Sequence, residues 1–187
     1  MYVLSSLEGF VARMQQGEEV ERATIRRYAE FFANFADRCH HGKEEDILFK
    51  TMTEHGFSNR VGPVAVMIHE HTQGRAHVRV LAELGSRDGE LSDEECDALA
   101  EHAGAYVPML RNHIAKEDNI LYPMAERALT PPELAAMTEQ FERFERDEMG
   151  RDEHHRLHEL ANLLVAEQPP FVPDQEACET CHACGMF

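Results

Sequence analysis

One ten-residue pattern occurs twice in this chain, and few folds accommodate it. His40-His41-Gly42-Lys43-Glu44-Glu45-Asp46-Ile47-Leu48-Phe49 and His113-Ile114-Ala115-Lys116-Glu117-Asp118-Asn119-Ile120-Leu121-Tyr122 align without a gap, 73 residues apart. Both copies carry His, Lys and Glu at the first, fourth and fifth positions and then Ile-Leu followed by an aromatic ring. On an α-helix, positions i and i+4 lie on one face, so each copy offers an imidazole and a carboxylate to one point in space. The stripe Phe32, Phe35, Ala36, Cys39 places His40 on or beside a buried face. A buried carboxylate without a partner costs several kcal/mol, and incurring that cost twice makes sense if cations neutralise both pairs. The competing reading, solvated helix-surface ion pairs, suffers from Lys43 and Lys116 being adjacent to their Glu residues, where they cannot face them.

The rest of the chain reads as helix. Val3, Leu4, Leu7, Phe10, Val11 and Met14 form a helical stripe over 2–15 with no cap in front of it. A second helix is expected from about Val20 to His55, stopped by Gly56. Pro63 suits a first helical position and opens a third helix, which Gly85 is expected to end. Ser92 and Glu95 form a capping box for a fourth helix reaching about Leu129, with a kink expected at Pro108 and a bend at Pro123. Thr130-Pro131-Pro132-Glu133 starts a fifth helix, and a segment around His154–Val165 adds a last one. No β-alternation appears, so the fold class is all-α. Four long helices with short connections pack most simply as an up-down antiparallel four-helix bundle with extra C-terminal helices.

One domain over 1–166 suits a chain of 187 residues, and the Pro-containing stretch 167–187 reads as a linker and Cys-rich tail. The 35 acidic against 18 basic residues, a formal charge of −17, argue against nucleic acid and anionic membrane as partners. With no apolar run of about 18 residues and no signal-peptide pattern, a cytoplasmic location is expected.

The third helix carries His69, His71 and His77. Of these His71 lies in register with Val64, Met67, Ile68 and Val78, and is the candidate ligand. The tail places Cys178, Cys181 and Cys184 at Cys-x-x-Cys-x-x-Cys spacing with His182 among them, a pattern able to wrap a soft metal or to shuttle between thiol and disulfide. A tail without metal is equally open. Cys39 and Cys96 read as packing residues, and His154, His155 and His158 as a solvated face.

Taken together, the two His-x-x-Lys-Glu stretches and Glu70-His71-Thr72-Gln73-Gly74-Arg75 resemble the hemerythrin-like cation-binding domain over about residues 1–165. The resemblance implies two non-haem iron ions joined by an oxo or hydroxo bridge. It matches His40, His71 and His113 to terminal ligands and Glu44 and Glu117 to bridging carboxylates. Two departures accompany it. Gly74 and Arg75 stand where oxygen-carrying members have a second histidine. The family's first-helix histidine has no counterpart before Val3-Leu4, so Met1 is expected to be an internal residue of a longer protein. Without that histidine, waters, Glu45, Glu70 or Tyr2 would complete the shell, or a single metal would bind. Open positions favour reaction with a small molecule (oxygen, peroxide or nitric oxide) over reversible oxygen carriage. Three functions stay open: binding or sensing such a molecule; an enzyme reducing peroxide or nitric oxide, or donating iron in iron–sulfur cluster repair; and a structural zinc or single-metal bundle. Tyr106 and Tyr122 are within reach of the cluster in sequence, but a core or helix-surface role is expected for each.

Overall fold

The computed structural model describes residues 2–170, and within them every regular element is helical. The first helix, α1 (Tyr2–Gln15), buries Val3, Leu4, Leu7, Phe10, Val11 and Met14, the stripe anticipated from the sequence. The second long stretch is not uniform. It begins as α2 (Arg22–Phe31), widens into two π-helical segments, π1 (Phe32–His41) and π2 (Glu44–Leu48), and returns to α-helix in α3 (Phe49–Glu54). Gly56, at φ 90°, then turns the chain in a conformation that β-carbon sterics disfavour for other residues.

Pro63 starts α4 (Pro63–Ser86) directly after Gly62. Gly85 is not its stop. It lies inside the last turn, where a β-carbon would come within 2.6 Å of the Arg26 backbone nitrogen, so its role is to let α4 and α2 approach closely. Arg22 fastens the same end: its buried guanidinium donates to the carbonyls of Leu84, Gly89 and Glu90 and to Glu95 Oε2. The anticipated Ser92–Glu95 box caps α5 (Asp93–Lys116), which runs through Pro108 as one helix. It continues without a break as π3 (Glu117–Leu121) and α6 (Tyr122–Ala128), with Pro123 the second residue of α6. Glu133 accepts from the Thr130 N–H and hydroxyl at the start of α7 (Pro131–Phe144). A last π segment, π4 (Glu145–Met149), ends at Gly150, beyond which lies α8 (Arg151–Glu167).

α4 packs along α2 and α5, and α1 packs along α5. α8 closes over α1 and α2 and buries Leu157, Leu160 and Leu164 in the main core. A buried polar contact fixes it there, because Ser6 Oγ lies 2.6 Å from the Tyr28 hydroxyl and within hydrogen-bond distance of the Leu164 and Gln168 carbonyls. Burial raises the Tyr28 phenol to about 12, so it stays a donor. A smaller second cluster, including Leu48, Met52, Val64, Met67, Leu121 and Met137, sits below π2 and π3. The candidate site lies between the two clusters. Among the described residues, no helix is long and apolar enough to cross a membrane. Cys178, Cys181, His182 and Cys184 lie outside the described residues.

Candidate metal centre

π2 and π3 each place a glutamate at their first residue, and these two side chains define the site. Glu44 and Glu117 are only 3% and 2% exposed. His71 of α4 and His113 of α5 join them, and one ligand atom from each of the four lies within 4.8 Å of all the others. His71 Nε2 is 3.3 Å from Glu44 Oε2, and His113 Nε2 is 2.7 Å from Glu117 Oε1. Neither carboxylate oxygen has a hydrogen-bond partner, however, and both are fully buried.

The fifth sequence candidate stands apart. His40 lies at the edge of the cluster with its side chain 40% exposed, its Nε2 being 3.8 Å from Glu44 and 3.5 Å from Glu117. Its neighbour His41 occupies the interior instead. That ring is 4% exposed and stacks on His71 with centroids 3.8 Å apart and planes 12° from parallel. His41 Nε2 is a third buried atom without a partner, and His41, His71 and His113 present nitrogens to one another within the same 4.8 Å.

Each of the three interior imidazoles is held from behind by a carboxylate. His41 Nδ1 faces Asp37 Oδ1 at 3.3 Å, His71 Nδ1 faces Glu45 Oε1 at 2.7 Å, and His113 Nδ1 faces Glu70 Oε2 at 2.9 Å. The carboxylates are held in turn. Arg75 donates to both Asp37 and Glu45 at 2.8 Å, and Lys116 donates to Glu70. Carboxylate–histidine pairs of this kind fix the tautomer with hydrogen on Nδ1 and leave Nε2 free as an electron-pair donor. Glu45 and Glu70, candidate replacement ligands on sequence grounds, are therefore buttresses of His71 and His113. Tyr2 is 78% exposed. Arg75, standing where a histidine was absent, organises two of the three buttresses.

The local charges pull in two directions: burial keeps His41 neutral, whereas the carboxylates favour a proton on His113 and His40 that a bound cation would displace. Burial, reinforced by neighbouring His71 and His40, lowers His41 and keeps it neutral despite Asp37. Burial also presses on His113, but Glu117 and Glu70 outweigh it and raise its pKa, and His40 is raised by Glu117 and Glu44 in the same way. Burial opposes ionisation of Glu117, yet His113 and His40 hold its carboxyl far below the ordinary range. Asp37 is lowered by His41 and Arg75 against burial, and Glu70 by Lys116 and His113 against burial. Tyr122 donates from its hydroxyl to Glu44 Oε1 at 2.8 Å, and burial together with the Glu44 charge pushes its pKa far up. Tyr106 packs edge-on against Phe32 in the main core.

The donor set suits a cation. Two ring nitrogens, His71 Nε2 and His113 Nε2, face each other at 3.2 Å, although with both Nδ1 atoms protonated neither has a hydrogen to share. Two buried carboxylate oxygens and one buried imidazole nitrogen are likewise without partners, a set of orphaned donors that native interiors avoid. Imidazole and carboxylate together suit first-row transition ions, iron and zinc among them.

Two signals for the missed residues were present in the sequence. The histidine is doubled at 40–41, and Asp37 precedes His41 by one helical turn. The shift from His40 to His41 follows from π1. A π-helix closes i→i+5 rather than i→i+4 hydrogen bonds, so each residue turns through a smaller angle. The inward arc predicted from Phe32 by α-helical spacing therefore arrives one residue later.

An all-helical domain with a buried His/Glu cluster of this composition belongs to the class of helical metal-binding domains. The chain belongs to the hemerythrin HHE cation-binding domain family, whose model matches residues 5–125. It is 25% identical over 147 residues to an uncharacterized protein of Mycobacterium tuberculosis and to its counterpart in Mycobacterium bovis, covering 78% of this chain and 53% of theirs. It is also 34% identical over 90 residues to the iron-sulfur cluster repair protein YtfE of Pectobacterium carotovorum, covering 47% of this chain and 41% of that protein. The chain thus spans about half the length of the curated relatives it matches. No solved structure matches it.

Proposed function

We propose that the domain holds a non-haem di-iron centre that binds or senses oxygen or a related small molecule such as nitric oxide or peroxide. The observation that carries this is the set of buried, unpartnered donor atoms of His41, Glu44 and Glu117 beside His71 and His113. In this reading Glu44, Glu117, His71, His113 and His41 would hold the ions, with His40 at the exposed edge. His41 adds an imidazole beyond the three that the sequence pattern offered. Iron in such a site supplies redox chemistry and an open position for a small oxygen- or nitrogen-centred ligand. The protein's own contribution is to orient three imidazoles through Asp37, Glu45 and Glu70 and to hold a proton on the Tyr122 hydroxyl against Glu44. We take the long helical stretches as an up-down antiparallel bundle over 1–166, supported by α1 packing on α5 and α4 packing on both α2 and α5. Residues 167–187 are then a linker and tail, and the composition suits the cytoplasm.

Metal analysis of the purified chain tests the assignment. The wild type should carry two irons per chain, and replacing Glu44 and Glu117 together with Gln should abolish iron binding; full iron content in the double variant would refute it. A colourless protein carrying zinc would instead establish the structural-metal reading. A second functional reading, iron donation in iron–sulfur cluster repair or reduction of nitric oxide or peroxide, is favoured by the partial similarity to YtfE. Turnover of these substrates that is lost when Cys178, Cys181 and Cys184 are changed to Ser would select it.

A further inference from the structure

The seam between α4 and α5 brings imidazoles together twice. His71 and His113 meet within the central cluster. His77, about 9 Å of helix rise beyond His71 on α4, meets His102 of α5 with the two Nδ1 atoms 3.1 Å apart, ring centroids 5.2 Å apart and planes at 64°. Both rings are half-buried, and Tyr106 lies beside His77 with centroids 6.4 Å apart. This second pair stands apart from the start of α1, which meets α5 further along at Arg111, through Ser5 and Glu8. The two pairs present opposite ring edges. At the centre, carboxylates engage Nδ1 and the Nε2 atoms converge. In the His77–His102 pair the Nδ1 atoms converge, and neither Nε2 is a buried atom or has a protein partner among the described residues, so each reaches water. Which ring nitrogen carries the hydrogen is set by what the other nitrogen meets. An Nε2–H donated to water leaves a lone pair on each Nδ1, and two lone pairs that face each other require a hydrogen or a cation between them.

We propose that His77 and His102 form a second site, for a divalent first-row transition ion held by the two Nδ1 atoms with water completing its shell. Imidazole suits zinc, copper, nickel and iron. Nitrogens 3.1 Å apart subtend roughly 95–102° at an ion bound at about 2.0–2.1 Å, between the square-planar and tetrahedral angles. Burial and then the neighbouring His102 lower the pKa of His77 and keep its ring neutral, as a ligand must be, while Glu101 brings negative charge close to it. The formal charge of −17 favours cations over the whole surface. No third His, Cys, Asp or Glu joins the pair among the described residues, so this ion exchanges more readily than one held by the four-residue cluster. The site is independent of what the central cluster binds.

Equilibrium dialysis of the full chain against micromolar zinc, with zinc and iron counted on every sample, tests the proposal. The wild type should carry one more zinc per chain than either His77→Gln or His102→Gln, with iron content unchanged. His69→Gln, at an exposed position on the same helix, should match the wild type. Equal zinc in the wild type and both pair variants overturns the proposal and leaves the two rings joined by an N–H···N hydrogen bond. An equal loss in His69→Gln also overturns it, because the zinc would then be spread over exposed histidines. Nitrogen NMR of the wild-type imidazoles gives a reading that needs no variant to fold. Zinc should shift both Nδ1 resonances of the pair while both Nε2 atoms keep their hydrogens; an Nδ1 that stays protonated and unmoved at saturating zinc overturns the assignment.

Discussion

Glu44→Gln should make the metal-free protein more stable and the metal-supplemented protein less so. In the wild type, Glu44 Oε1 accepts the Tyr122 hydroxyl, but Oε2 is buried without a partner, 3.3 Å from His71 Nε2. An unsatisfied buried polar atom costs about 1–3 kcal/mol, more when charged. Glutamine keeps the acceptor for Tyr122 and puts an N–H donor toward the lone pair of His71 Nε2, so the metal-free variant gains about 1–3 kcal/mol. For a chain of this length that corresponds to a Tm rise of about 3–9 °C. Metal works the other way. A ligand present at roughly a hundred to a thousand times its Kd adds about 2.7–4.1 kcal/mol to the wild type, and the variant loses most of that increment. The assay is differential scanning calorimetry of both proteins after chelation and again after anaerobic reconstitution with ferrous iron. A metal-free Glu44→Gln protein melting below the metal-free wild type would refute the reasoning, since the carboxylate would then be satisfied by something other than a cation.

Other substitutions test the surroundings of the site. Asp37→Asn removes the carboxylate behind His41 and should lower metal affinity about 10- to 100-fold, read by competition with a chromophoric chelator; unchanged affinity would remove His41 from the ligand set. Gly85→Ala puts a β-carbon against the Arg26 backbone and should cost about 1–3 kcal/mol in urea unfolding, because α2 and α4 must separate. Glu95 is held at about 2 by Arg22, the Ser92 N–H and Arg87, against its ordinary 4.5. Its folded pKa is depressed, so its contribution is complete above pH 4.5 and is lost as pH falls toward 2. Glu95→Gln should accordingly flatten the acid limb of the stability profile in that window while leaving lower pH unchanged.

The elements were legible where the physics is local. Ser92 with Glu95, Pro63 after Gly62, and Gly56 as a helix stop depend on single residues and their immediate neighbours, and each is found at its expected place. Gly85 misled because a glycine that ends a helix and one that admits a neighbouring helix look alike until the partner, Arg26, is known. At the site, the repeat pointed to both glutamates and His113 and register pointed to His71, and these four are brought together with donor atoms within 4.8 Å of one another; their role as metal ligands is the proposal made above. His41 was hidden by the assumption of α-helical spacing through a segment that is π-helical from Phe32 to His41. The buttresses were hidden for another reason. Asp37, Glu45, Glu70 and Arg75 act across helices, and an excess of acidic residues makes any one carboxylate inconspicuous.

The carboxylates behind the three imidazoles also bear on how the centre is assembled in a cell. In many small metal domains the cation organises the chain, and its loss unfolds them. Here Arg75 and Lys116 hold the carboxylates that back the rings, on the side away from the cluster's ligand atoms, and α8 is secured through Ser6 independently of the cluster. The chain stripped of metal is therefore expected to keep its helices, read as an unchanged far-ultraviolet circular dichroism spectrum after chelation; loss of helix on chelation would show that the cation organises the fold.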